Sequence, residues 1–167
     1  MKTLLVMRHA KSDWGAAFTR DHDRPLNSRG EKASRRMGRF LADAGTTPDL
    51  VISSTAVRAL STAELAADAG DWGCPIIPNR GFYASDPEQV LEIVAGVDPA
   101  VEGLLIAGHE PTWSALAGRL IGGGRIHMPT AAVACLELPH GTWADLSKAV
   151  CALRWFVTPK MLKKIEE

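Results

Sequence analysis

Three short apolar runs, Leu4-Leu5-Val6-Met7, Leu50-Val51-Ile52 and Leu104-Leu105-Ile106-Ala107, each stop abruptly at polar residues. Runs of this length without polar alternation are the pattern of parallel strands covered on both faces. Helical spacing separates them. Ala33, Met37, Phe40, Leu41 and Ala44 form one apolar stripe behind the cap-type pair Asn27-Ser28 and ahead of Gly45. A second helix is predicted from Ser54-Thr55 to about Ala69. A third follows Asp86-Pro87-Glu88, where Asp86 caps and Pro87 takes the first helical position. Pro111 opens a fourth, which buries Trp113, Leu116, Ala117, Leu120 and Ile121 before Gly122-Gly123-Gly124 ends it. This alternation predicts a three-layer α/β/α sandwich. The last third differs: residues 132–138 and 150–156 read as two strands about the turn residues Pro139 and Gly141, so the mostly parallel sheet is expected to be mixed.

A chain of 167 residues can bury an adequate core as one unit, and no repeat or linker divides it, so a single domain over 1–167 is expected. Nineteen basic residues balance nineteen acidic ones, which argues against bulk attraction to nucleic acid or an anionic membrane. Any anion must be held locally. The apolar runs fall far short of the ~18 residues of a membrane span, and the first is too short for a secretory core. With Cys74, Cys135 and Cys151 odd in number and unclustered, reduced thiols in a cytoplasmic, monomeric protein are expected.

In an open α/β sheet, ligands gather beyond the carboxyl ends of the strands. There Arg8-His9 ends the first run and Gly108-His109 ends the Leu104–Ala107 run, while Arg58 lies in the first turn of the helix after Leu50–Ile52. Two imidazoles and two guanidinium groups at one edge suit phosphoryl transfer. A neutral imidazole attacks phosphorus while guanidinium forks hold the nonbridging oxygens. No cofactor or metal is expected. The chain lacks a phosphate-binding Gly-x-x-x-x-Gly-Lys-Ser/Thr loop, a dinucleotide fingerprint and the clustered carboxylates of two-metal phosphatases.

Leu5-Val6-Met7-Arg8-His9-Ala10 resembles the strand-plus-Arg-His signature of the histidine phosphatase (phosphoglycerate-mutase-like) superfamily. Further motifs match in order: Arg24-Pro25-Leu26-Asn27-Ser28-Arg29-Gly30, Ser54-x-x-x-Arg58-Ala59-x-x-Thr62-Ala63-Glu64, and Gly108-His109-Glu110-Pro111. The short region between motifs and the Arg8–Trp14 segment are similar to the compact phosphohistidine phosphatase branch. The resemblance implies His9 as the transiently phosphorylated nucleophile, Arg8 and Arg58 as phosphate ligands, and His109 as a hydrogen-bonding partner of the phosphoryl oxygens. It also implies a phosphorylated partner, either a protein carrying phosphohistidine or a small phosphorylated metabolite.

One departure bears on the substrate. Larger members carry an acidic residue beyond the third strand that protonates an alcohol leaving group; here Ala84 stands near that place, and Asp86 is explained as a helix cap. Protonated imidazole leaves readily without such an acid, so the pattern fits a phosphoramidate. Two alternatives stand beside this one. One is a small-molecule phosphomonoesterase using Glu110 or Asp13 as acid; the other is a slow phosphohistidine-binding regulator.

Other polar residues have plainer readings. His22, His127 and His140 are read as structural. Arg24 either reaches phosphate or pairs with Asp21 or Asp23. Lys11 and Ser12 lie on a loop after the nucleophile, where they touch phosphate or are simply solvated. The stripe Arg29, Lys32, Arg35, Arg36 and Arg39 is read as a solvated helix face, and the tryptophans other than Trp14 as packing residues.

Overall fold

The computed structural model describes residues 1–167. Its six strands are β1 (Lys2–Arg8), β2 (Leu50–Ser54), β3 (Ile76–Asn79), β4 (Gly103–Gly108), β5 (Val133–Leu138) and β6 (Ala152–Val157). They form one sheet in the order β3-β2-β4-β1-β5-β6. The first four of these are parallel neighbours, while β5 pairs antiparallel with β1 and β6 antiparallel with β5, so the sheet is mixed as the pattern predicts.

The alternation of side chains along each strand divides the apolar residues between two layers. Leu5, Met7, Val51, Leu105 and Ala107 pack beneath α1 (Ser28–Asp43) and α2 (Val57–Gly70), against Met37, Leu41, Ala63 and Ala66. Leu4, Val6, Ile52, Leu104 and Ile106 face the other way, toward α3 (Pro87–Ala95), α4 (Thr112–Leu120) and Trp143. Burying each large aliphatic side chain contributes about 1.5–3 kcal/mol, which explains the double-sided apolar runs. A Cβ at Gly38 would fall on the Ala66 carbonyl, so that glycine lets α1 and α2 approach closely. No helix is long and apolar enough to cross a membrane.

Several boundaries differ from the sequence reading. Ser53 and Ser54 complete β2, and α2 begins only at Val57. The Ser54 hydroxyl instead accepts the Ala56 N–H at 3.2 Å, closing the turn between strand and helix. Pro111 precedes α4 as its cap rather than opening it, and Ile121 lies past its end. The connection between β5 and β6 is not a tight turn, because it carries a 3-10 helix, Trp143–Lys148. Neither β3 nor the terminal helix α5 (Pro159–Glu166) stands out in the sequence. β3 is an edge strand that tolerates Pro78, and α5 is only eight residues long with none fully buried, so neither presents a long apolar run.

Candidate active site

Strand register brings the two histidines together. Arg8 lies opposite Gly108 in the β1–β4 pair, and the His9 N–H donates to the Gly108 carbonyl at 2.9 Å. The residues leaving both strands are therefore neighbours, with imidazole centroids 5.2 Å apart. Both rings are buried.

Each ring has its tautomer set by a partner. His9 Nδ1 lies 2.6 Å from the Ala10 carbonyl oxygen, which can only accept, so the proton sits on Nδ1 and Nε2 keeps its lone pair. His109 Nε2 lies 2.7 Å from Ser54 Oγ. That hydroxyl belongs to a fully buried serine with no other acceptor for its hydrogen, so it donates to Nε2 and leaves the His109 proton on Nδ1. Burial, reinforced by the charges of Arg58, Arg8 and Arg24 against the opposing Ala10 hydrogen bond, lowers the His9 pKa to about 4. Burial and then His9 and Arg58 lower that of His109 to about 3. Both imidazoles are neutral at pH 7.

Three arginines surround them. Arg8, at the end of β1, donates to the Met128 carbonyl at 2.9 Å. Arg58, in the first turn of α2, donates to the backbone carbonyl of Asp21 at 2.8 Å and to its carboxylate at 2.9 Å. Arg24 pairs with the same carboxylate at 3.3 Å rather than with Asp23, which pairs with Arg20. The guanidinium of Arg24 also lies 3.6 Å from the centre of the exposed Trp14 ring. The remaining tryptophans pack in the interior, Trp155 only partly.

After those bonds are made, Arg8 Nε, Arg24 Nε and Nη1, Arg58 Nε and His109 Nδ1 stay buried without a partner. They are the protein's only buried side-chain nitrogen or oxygen atoms in that condition. Leaving one buried donor unmade costs about 1–3 kcal/mol, and these five on four neighbouring residues are donors that an acceptor-rich anion could satisfy. No group of three His, Cys, Asp or Glu side chains is arranged to hold a metal.

The Ser12 backbone pairs with Leu26, and its hydroxyl makes no hydrogen bond within the protein. The carboxylates considered as acids are engaged elsewhere. Glu110 accepts the Ser114 N–H at 2.8 Å and its hydroxyl at 2.6 Å. The same hydroxyl accepts the Met128 N–H at 3.0 Å, so Glu110 supports, through Ser114, the residue whose carbonyl accepts Arg8. Asp13 caps its own turn through the Gly15 N–H at 2.9 Å. Asp86 closes a reciprocal capping box with Gln89, as expected. Ala84 adopts a left-handed φ of 53° and supplies no acid.

Sequence reasoning overlooked Ser54, Tyr83 and the bridging role of Asp21. Ser54 lies inside the second arginine motif, at a position whose residue type points to a helix start. Tyr83 adjoins Ala84 on the segment where larger members carry an acid; its hydroxyl donates to Asp21 at 2.9 Å and its ring lies 5.6 Å from His109. His22, read as structural, bonds Thr55 at 2.7 Å and packs against Tyr83 at 5.0 Å.

This sheet order, with paired histidines and guanidinium groups at the carboxyl ends of its parallel strands, is that of a phosphoglycerate-mutase-like α/β fold. A family model for the histidine phosphatase superfamily (branch 1) matches residues 4–83. An uncharacterized protein of Mycobacterium tuberculosis is 38% identical over 165 residues, spanning 92% of this chain and 100% of its own. The structure of a provisionally assigned phosphohistidine phosphatase SixA from Nakamurella multipartitia superposes with a TM-score of 0.82 at 28% identity, covering 95% of this chain and 96% of the other. The protein histidine phosphatase SixA complexed with tungstate shares the fold at 23% identity, with a TM-score of 0.82 over 96% of this chain and 99% of its own. The chain belongs to the histidine phosphatase superfamily, in its compact SixA-like branch.

Proposed function

We propose that this protein hydrolyses phosphohistidine, or a related small phosphoramidate, through a covalent phospho-His9 intermediate. The observation that carries this reading is the state of His9: neutral, buried, with Nδ1 committed to the Ala10 carbonyl and the Nε2 lone pair free beside three guanidinium groups. Nε2 forms a bond to phosphorus as the bond from phosphorus to the leaving nitrogen breaks; that nitrogen keeps the bonding pair, and a phosphoimidazole departs as neutral imidazole because its other ring nitrogen already carries the proton. Water then attacks phosphorus, the bond to Nε2 breaks, phosphate leaves and neutral His9 returns. Arg8, Arg24, Arg58 and His109 Nδ1–H offset the charge on the nonbridging oxygens, so the step needs no metal ion.

The leaving-group preference is supported by Ala84, which stands near the place where larger members carry an acid, and by the hydrogen bonds that Glu110 and Asp13 accept within the protein. Turnover of a phosphoramidate and of an alkyl phosphate, compared on one preparation, tests it. The phosphoramidate is expected to turn over faster, with a phosphoenzyme captured by acid-free quenching and lost in His9→Ala. Faster turnover of the alkyl ester, or a fully active His9→Ala variant, overturns the reading.

A further inference from the structure

Asp21 is placed where a simple anion receptor would have no carboxylate. It lies in the 3-10 turn Asp21–Asp23, between β1 and α1, with its side chain 48% exposed, while Arg24 and Arg58 beside it are almost wholly buried. Its negative charge repels an incoming phosphoryl group and occupies guanidinium N–H groups that could otherwise have bound it. A compensating gain must come from geometry.

The contacts show what that gain is. The backbone carbonyl and carboxylate of Asp21 take two different nitrogens of Arg58, at 2.8 and 2.9 Å, which fixes the plane of that guanidinium. The second carboxylate oxygen takes Arg24 at 3.3 Å, so one anion ties together two cations that would otherwise repel. From outside, the Tyr83 hydroxyl donates to Asp21 at 2.9 Å. Tyr83 is itself wedged between His22 and His109, with ring centroids at 5.0 and 5.6 Å. Although partial burial opposes it, the Tyr83 bond and the Arg58 charge hold the Asp21 carboxyl below the usual carboxylate range, so it is ionised at neutral pH.

We infer that Asp21 is a positioning residue for phosphoryl transfer: it aligns Arg58 and Arg24 so that their free donors meet the transition state, at the expense of ground-state phosphate affinity. Interactions of this kind raise kcat rather than lower KM, because they are fully made only as the trigonal phosphoryl group forms. The inference rests on the phosphatase reading for its meaning, but its test separates the two.

The test measures binding of inorganic phosphate and of orthovanadate, a tetrahedral anion that becomes a five-coordinate mimic of the transition state when a nucleophile bonds to vanadium, by titration calorimetry, alongside kcat and KM for a phosphoramidate. In Asp21→Asn, the preference for vanadate over phosphate is expected to fall about tenfold or more and kcat by a similar factor, with phosphate affinity and KM unchanged or improved. Tyr83→Phe is expected to move the same ratio in the same direction by a smaller factor, and it decides the matter if Asp21→Asn does not fold. Asp23→Asn, on the same turn but bonded to Arg20 and His22, is the control and leaves the ratio unchanged. An unaltered vanadate-to-phosphate ratio, equal weakening of both anions, or a wild-type protein that does not distinguish them overturns the inference. A wild-type protein that prefers vanadate in the expected way yet turns over no phosphoramidate overturns the phosphatase reading and leaves the clamp standing.

Discussion

Replacing Ser54 by alanine removes one hydroxyl and should be felt in both stability and turnover. Ser54 is fully buried and His109 nearly so, and the bond between Oγ and Nε2 is 2.7 Å long. Without it, the buried Nε2 loses its donor and the Ala56 N–H loses an acceptor at 3.2 Å. Stranding such a group costs about 1–3 kcal/mol, and each kcal/mol lowers the melting temperature of a chain this size by roughly 2–4 °C. The effect on chemistry is separate. With nothing donating to Nε2, the imidazole can place its proton there, and Nδ1 no longer offers a hydrogen to the phosphoryl oxygens. Removing an oxyanion donor outright costs about 10²–10³ in rate. Here the donor survives in one of two tautomers, so a fall of about 10–100-fold in kcat/KM, some 1.4–2.7 kcal/mol, is expected. A double-mutant cycle with His109→Ala isolates the interaction, and imidazole ¹⁵N shifts report the tautomer directly. Additivity of the two variants to within about 0.5 kcal/mol, or a wild-type His109 protonated on Nε2, refutes the reasoning.

Protonation supplies another test. The folded pKa values of about 4 for His9 and about 3 for His109 lie below the ordinary 6.5, so the unfolded chain takes up these protons first as pH falls. Their contribution to stability is whole above 6.5 and declines as pH drops through 6.5 toward 4 and 3; urea midpoints across that range should show a slope that His9→Asn reduces. On the same grounds turnover should persist below pH 6.5 and fail near pH 4, whereas loss centred at pH 6.5 would contradict the burial of His9. Gly30→Ala would drive a Cβ into the Lys11 carbonyl, on the loop that follows His9. A destabilisation of about 1–3 kcal/mol by thermal unfolding is expected, and an unchanged midpoint would deny the close approach. Ser114→Ala breaks the link from Glu110 to Met128, the residue whose carbonyl holds Arg8, and kcat/KM should fall roughly tenfold while Glu110→Gln, which keeps an acceptor, loses less.

Much of the architecture is legible in one dimension because it depends on local periodicity. The double-sided apolar runs at Leu4–Met7, Leu50–Ile52 and Leu104–Ala107 announce interior parallel strands, and the stripe from Ala33 to Ala44 announces a helix lying on them. Their polar ends name Arg8, His9 and His109, and the rule that ligands collect at the carboxyl edge of such a sheet groups those residues before any coordinate is known. β3 and α5 escape detection because an exposed edge strand and a surface helix need little apolar patterning. The serines at 53 and 54 mislead for a related reason: residues that favour helix caps equally suit the polar end of a strand.

The sequence by itself therefore determined the layered fold, the edge on which chemistry belongs and the residues that deliver imidazole and guanidinium to it, since each follows from spacing along the chain. Only the tertiary structure decided which nitrogen of His9 is free, which way Ser54 tautomerises His109, that Glu110 serves Ser114, and that Asp21 joins Arg58 to Arg24. Those are matters of a few tenths of an ångström between side chains up to dozens of residues apart. Residue types alone do not encode them: the Ser54–His109 and Asp21–Arg58 contacts join distant segments, and the His9–Ala10 and Glu110–Ser114 contacts depend on the rotamers that the packed layers impose.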